Sequence, residues 1–216
     1  MPRLLQIDVS QYNELAPGDE CFYIGEYTSH GGYGASETNR LIKNLKKEPS
    51  SSSLAELRYK NQAITFWGNK LAAHLRLASV ATSVTFVPVP CSKTVEHPDY
   101  DDRMVRVMQQ VASNYAVGSL DIRPVFVTTV DRASQHKGGP RLSVAELRDS
   151  MAVDGKQLLT PLRKTVIVVD DVFTQGRTFK AMQGMLQNLA GVERIAGVFL
   201  AKTVWPAPNF GDAPIF

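Results

Sequence analysis

Cysteine is scarce in this chain: Cys21 and Cys91 are the only two in 216 residues. Two thiols cannot build a disulfide framework or a four-cysteine zinc site. A reducing cytoplasm is the simplest compartment for such a chain. Long apolar runs are also missing. No stretch reaches the roughly 18–20 residues that a membrane-crossing helix needs, so no membrane partner is expected. The first ten residues lack the apolar core of a signal peptide, and no internal repeat is present. Charge of one sign is missing too. The formal net charge is +3, too small to argue for nucleic acid by itself, though it leaves that partner open. Short basic clusters such as Lys43, Lys46 and Lys47 read as a solvated surface.

What is present is an alternation of helical and extended patterns. Helices are expected over 37–47, with Ser36 as N-cap, and over 54–78, where Leu57, Ile64, Trp67, Leu71 and Leu75 recur on one face. Between them, 49–53 is a short polar loop. A strand at 84–89 is followed by a helix at 99–115 with Met104, Val107, Met108 and Val111 inward. A strand at 124–130, a short helix at 142–151 and a buried strand at 165–169 come next. A helix at 178–189 and a last strand at 195–201 close the pattern. Continuous apolar strands alternating with amphipathic helices predict an α/β fold, a parallel sheet with helices on both faces. One domain over 1–216 is expected, with its core at 21–203 and a proline-interrupted tail at 204–216. Ligands of such sheets bind beyond the carboxyl ends of the strands, which directs attention to the residues after Val89, Val130, Val169 and Ala201.

The most informative segment is TVIVVDDVFTQGRT, residues 165–178. An apolar strand leads to two acids, Asp170 and Asp171. A short turn with Thr174 and Gly176 follows, and then a helix begins. Backbone N–H groups in the turn and at the helix start can cradle a phosphate. Gly176 permits a turn that a side chain would block. Successive strand residues face opposite ways, so the two carboxylates can hold different partners, and ribose hydroxyls suit them as donors. The plainer alternative, a strand–turn–helix with Asp as a cap, explains an isolated acidic pair but not the whole assembly. The spacing is not that of a Walker P-loop.

This segment resembles the phosphoribosyl-pyrophosphate (PRPP) motif of type I phosphoribosyltransferases: four apolar residues, two acids, two apolar residues, then a Thr-rich turn with Gly and a closing Thr. Phe173 and Gln175 depart from the usual aliphatic and small residues. The resemblance continues upstream and is nearest to the ComF-like branch, without its zinc finger. VPVPCSK, residues 87–93, is similar to that branch's pyrophosphate loop. RASQHKGGPRLSVAELR, residues 132–148, is similar to its lid. Residues 27–47, with Leu41, Ile42, Leu45 and Lys46, are similar to its opening strand and helix. Residues 96–103 depart from it, because Asp99, Asp101 and Asp102 stand where a basic, amide-rich stretch is usual. These acids next to a pyrophosphate would repel it unless Mg²⁺ or a basic residue lay between. His97 with these acids is a weaker candidate for a metal site than a solvated loop.

The resemblance implies a type I phosphoribosyltransferase-like fold and transfer of the phosphoribosyl group from PRPP to an acceptor that the sequence does not identify, with release of pyrophosphate. Asp170 and Asp171 would be catalytic. Val172, Phe173, Thr174, Gln175, Gly176, Arg177 and Thr178 would hold the 5-phosphate. Cys91, Ser92, Lys93, Arg132 and Lys137 would hold pyrophosphate, with Arg141 and Arg148 as further lid cations. Cys91 reads as an incidental thiol rather than a nucleophile. Mg²⁺ would be carried through PRPP, with no direct protein ligand. A homodimer stays open. Two other functions stay open on the same fold: a non-enzymatic PRPP or nucleotide sensor, and a DNA-uptake accessory protein.

Overall fold

The computed structural model describes residues 2–132 and 142–206. Strands rich in Val, Ile and Phe form a six-stranded sheet. They are β1 (Leu5–Gln6), β2 (Glu20–Thr28), β3 (Val84–Pro88), β4 (Asp121–Ile122), β7 (Thr165–Phe173) and β8 (Arg194–Val204), in the spatial order β1-β2-β8-β7-β3-β4. Every pairing is parallel except β1 with β2. The helices are α1 (Glu37–Leu45), α2 (Leu54–His74), α3 (Leu77–Val80), α4 (Arg103–Ser113), α5 (Val144–Asp149) and α6 (Arg177–Leu186). A parallel sheet buried on both faces needs two cores, and two are found. Trp67, Leu71, Met104, Val107 and Met108 of α2 and α4 cover one face together with Ile42 and Leu45 of α1. Leu147 of α5 and Phe179, Met182 and Leu186 of α6 cover the other. The expected fold class is therefore observed.

Local sequence explains where the elements start. Ser36, Ser53 and Ser143 each accept a hydrogen bond from the third backbone N–H of the helix they precede, and Glu56 and Glu146 complete reciprocal capping boxes. Several boundaries differ from the sequence expectation. The strand expected at 165–169 runs on to Phe173, so both acids lie inside it, Asp170 beside Phe199 of β8. The helix expected at 99–115 begins only at Arg103. Asp99 accepts hydrogen bonds from Ser50, and Asp101 turns toward α2, holding the preceding chain away from helical geometry. The helix expected at 54–78 breaks at Leu75, whose backbone is extended (φ −96°, ψ 141°) and whose side chain is buried.

The strand expected at 124–130 is shorter and lies elsewhere. β5 (Phe126–Thr128) pairs antiparallel with β6 (Met151–Val153) in a separate two-stranded sheet. The edge of the main sheet goes to β4 instead. Arg123 still donates its N–H to Phe86, but Pro124 has no N–H to extend the ladder.

Helices α2 and α4 approach closely at Gly68. A Cβ there would come within 2.4 Å of Gln110 Cβ and 3.0 Å of the Val107 carbonyl oxygen. Both obstacles sit close to the backbone of α4 and cannot swing aside. Gly68→Val is expected to lower stability by about 2–3 kcal/mol, read as a fall in Tm of roughly 5–10 °C in a thermal melt. An unchanged Tm would show that the two helices can separate freely at this contact.

Candidate functional site

Strands β2, β3, β7 and β8 end on the same side of the sheet, and a cleft of about 540 Å³ opens there. Its walls come from each strand end: Tyr27 in the last residues of β2 and His30 just after it, Cys91 and Lys93 after β3, Thr174 after β7, and Trp205 after β8. A smaller hollow of about 60 Å³ lies at the start of α6, walled by Asp170, Val172, Gly176 and Thr178. Thr174 lines both spaces.

The hollow is built by the turn between β7 and α6. Gly176 is the N-cap residue of α6 and adopts φ +80°, and no side chain caps the helix there. The first N–H groups of a helix have no intrahelical acceptors, so this start keeps donors and the positive end of the dipole for a ligand. A Cβ on Gly176 would fall 2.7 Å from Leu15 Cδ2, and the left-handed backbone adds strain for any side chain. Phe173 explains one departure from the resembled motif. Its ring packs edge-on against Tyr12 at 4.8 Å and Phe199 at 4.9 Å, forming an aromatic base beneath the turn. The Thr174 hydroxyl lies 3.2 Å from that of Thr203, joining the ends of β7 and β8. The Arg177 guanidinium goes to Glu14 and to the Leu142 carbonyl, so its charge is already engaged by the protein.

The two acids have different surroundings. Asp170 is half-buried and walls the hollow. Its Oδ1 accepts the backbone N–H of Asp171 at 2.8 Å. Burial pushes its carboxyl up to about 7; the neighbouring charge of Asp171 adds to this, while Lys46 and Arg103 oppose it. Asp171 is 4% exposed. Lys46 Nζ lies 2.8 Å from its Oδ1, and Arg103 donates through Nε and Nη2 to its Oδ2 at 3.0 and 2.8 Å. The network extends further. Arg103 Nη1 meets Asp101 Oδ2 at 2.8 Å, and Lys60 Nζ meets the same oxygen at 2.7 Å. Lys60 also donates to the carbonyls of Leu45 and Lys47 at the end of α1, where a cation suits the helix dipole. Burial disfavours the charge of Arg103, but Asp171 and Asp101 outweigh it and hold the guanidinium charged more firmly than usual. Burial lowers Lys46 and Lys60 against the pull of their carboxylate partners.

Lys46 is therefore not part of a solvated basic surface, as its cluster suggested; its side chain is 14% exposed. Periodicity held the missing signal. Lys46 follows Ile42 by four residues, and Lys60 precedes Ile64 by four, so both stand on buried stripes. The acidic 99–102 segment also resolves, because Lys60 and Arg103 neutralise Asp101 and Asp99 binds Ser50.

Cys91, Ser92 and Lys93 line the cleft. The Cys91 thiol donates to the Lys93 carbonyl and accepts the Asp101 N–H, so it braces the loop. Four hydrogen bonds tie this loop to the end of β5 and the segment that follows it. Thr128 Oγ1 and Arg132 Nη2 donate to the Cys91 carbonyl, Arg132 N–H donates to Ser92, and Asp131 accepts from Thr94 N–H. Arg132 thus supports the loop through part of its guanidinium. Arg148 lies on α5, paired with Asp149 and away from the cleft. Lys137, Arg141 and most of the expected lid lie outside the described residues.

No protein-family model matches the chain, and no curated protein matches it in sequence. Among solved structures, a hypoxanthine phosphoribosyltransferase from Staphylococcus aureus is similar at 13% identity and a TM-score of 0.37, over 66% of this chain and 73% of that one.

The raised carboxyl of Asp170 fixes the sign of a pH effect. From about pH 4 to about pH 7 the folded chain keeps this proton while the unfolded chain releases it, so stability falls as pH rises through that window. Above about 7 the full penalty of a buried, repelled charge remains. Asp170→Asn is expected to match the parent near pH 4 and to exceed its stability at pH 8, by up to about 4 kcal/mol. Denaturant unfolding of both proteins at the two pH values checks it, and a constant difference between them would refute the assignment.

Proposed function

We propose that this chain binds PRPP and transfers its phosphoribosyl group to an acceptor, in the manner of type I phosphoribosyltransferases, with the ComF-like branch as the nearest sequence pattern. One observation carries the reading. An uncapped helix start, a small hollow and a carboxylate on that hollow's wall adjoin a larger cleft at Thr174. This arrangement suits a ligand with a phosphate at one end, hydroxyls in the middle and a reacting carbon beyond. The 5-phosphate would take the N–H groups of 174–178, the ribose hydroxyls would meet Asp170, and C1 would point into the cleft.

Catalysis in such a site rests on orientation and electrostatics. The bond from C1 to the pyrophosphate oxygen breaks as the acceptor's bond to C1 forms, through a transition state with oxocarbenium character. An ionised Asp170 would stabilise the positive charge that develops on the sugar. Lys93 and the loop amides beside it would receive the departing pyrophosphate, with Arg132 bracing that loop from behind. Mg²⁺ would neutralise charge on the pyrophosphate. The residues present fit a metal carried by the ligand's own oxygens, because Asp99 and Asp101 are already engaged by Ser50, Lys60 and Arg103.

A sensor without turnover would use the same contacts up to the bond-breaking step. Pyrophosphate release, screened against bases and amines as acceptors, separates the two. The binding claim itself is tested by calorimetry with PRPP and Mg²⁺. Losing a charge-assisted hydrogen bond should make the Asp170→Asn variant bind roughly ten- to a hundredfold more weakly. Equal affinity in a folded variant would contradict the proposal.

A further inference from the structure

The acids at 170 and 171 are adjacent in sequence but differ in what surrounds them. Both oxygens of Asp171 are engaged, Oδ1 by Lys46 and Oδ2 by two nitrogens of Arg103. Those two cations come from different elements: Lys46 closes α1 as its C-cap residue, and Arg103 opens α4. Through Asp101 and Lys60 the same network reaches α2. A carboxylate so placed is a junction of three helices with the central strand. Among the described residues, the carboxylate of Asp170 receives a single hydrogen bond, from the backbone N–H of Asp171. Asp170 walls the hollow at α6; Asp171 does not, and neither does it line the cleft.

We infer that the two acids have divided roles: Asp170 alone meets the ligand's hydroxyls, while Asp171, gripped by Lys46 and Arg103, is a positioning residue that fixes the stretch of β7 carrying Asp170. The inference rests on the phosphoribosyl reading and assigns its sugar contact to one carboxylate. The mechanical link is short. The Asp171 N–H that bonds Asp170 Oδ1 belongs to the residue whose side chain the two cations hold, so a shift of Asp171 moves the Asp170 carboxylate with it. Asp170 Oδ2 and the remaining lone pair of Oδ1 suffice to accept from two neighbouring hydroxyls.

A pair of phosphosugars reads the difference. Ribose 5-phosphate and 2-deoxyribose 5-phosphate differ by one hydroxyl, so their affinity ratio reports direct hydroxyl contact, and a common loss of both affinities reports misplacement. The parent protein is expected to favour ribose 5-phosphate by about tenfold or more. Asp170→Asn should bring the ratio close to one. Asp171→Asn should weaken both sugars together by about tenfold and keep the ratio. If Asp171→Asn does not fold, the charge-balanced double variant Lys46→Met with Asp171→Asn takes its place with the same expectation. A ratio that collapses in the Asp171 variant would make Asp171 a ligand contact and overturn the inference while leaving the phosphoribosyl reading intact. Unchanged affinities in that variant, or an unchanged ratio in Asp170→Asn, would overturn it as well. A parent protein that binds neither sugar would remove the inference and the reading beneath it together.

Discussion

A carboxylate inside the central strand of a parallel sheet must be answered by charge, and Asp171 is answered from two sides by Lys46 and Arg103. Much of the architecture at this end of the sheet follows from that pairing. Lys46 can reach only if α1 ends where it does, and Lys60 secures that end by binding its last carbonyls. Arg103 can reach only if α4 starts late, which leaves 99–102 outside the helix and sends Asp101 toward Lys60. Removing one partner of such a buried pair costs about 3–5 kcal/mol, because the other charge is left uncompensated. The network is thus a constraint on three helices at once, and the floor of the cleft is set by it.

Strand alternation gives the two adjacent carboxylates different surroundings. Asp171 faces α1 and α4, and Asp170 faces the turn into α6. The first is neutralised by design of the fold, while the second keeps an uncomfortable position beside a like charge. Sites that bind and react commonly sacrifice stability in this way. The left-handed Gly176 and the helix start without a side-chain cap belong to the same pattern, since each leaves backbone groups available that a more stable turn would satisfy internally.

The sequence made the turn legible because its signals are local. The Val166 to Val169 run, the glycine at the helix entry and the amphipathic face of α6 all lie within one strand–turn–helix unit. The Ser36 cap of α1 was legible for the same reason, whereas the Ser53 and Ser143 caps of α2 and α5 emerged only with the structure. What stayed hidden depends on contacts distant in sequence. Lys46 and Lys60 look like surface lysines until Asp171 and Asp101 are brought to them across 125 and 41 positions. The extension of β7 through two acids is decided by β8 on one side and these cations on the other, and an apolar pattern alone stops short of it. The exchange of sheet partners after Pro124 likewise depends on the competition between β4 and β5 for the edge of β3. Nothing in the residues around Leu75 breaks a helix, and its burial in the α2–α4 core accompanies the break.

The central claim is a polarity: phosphate at the start of α6, sugar toward Asp170, reacting carbon in the cleft. A crystal structure of the chain with ribose 5-phosphate measures it directly. The account predicts phosphate oxygens within hydrogen-bond distance of the backbone N–H groups of 174–178 and a ribose hydroxyl on the Asp170 carboxylate. A sugar phosphate bound in the reverse orientation, or with its phosphate held away from this turn, would contradict it.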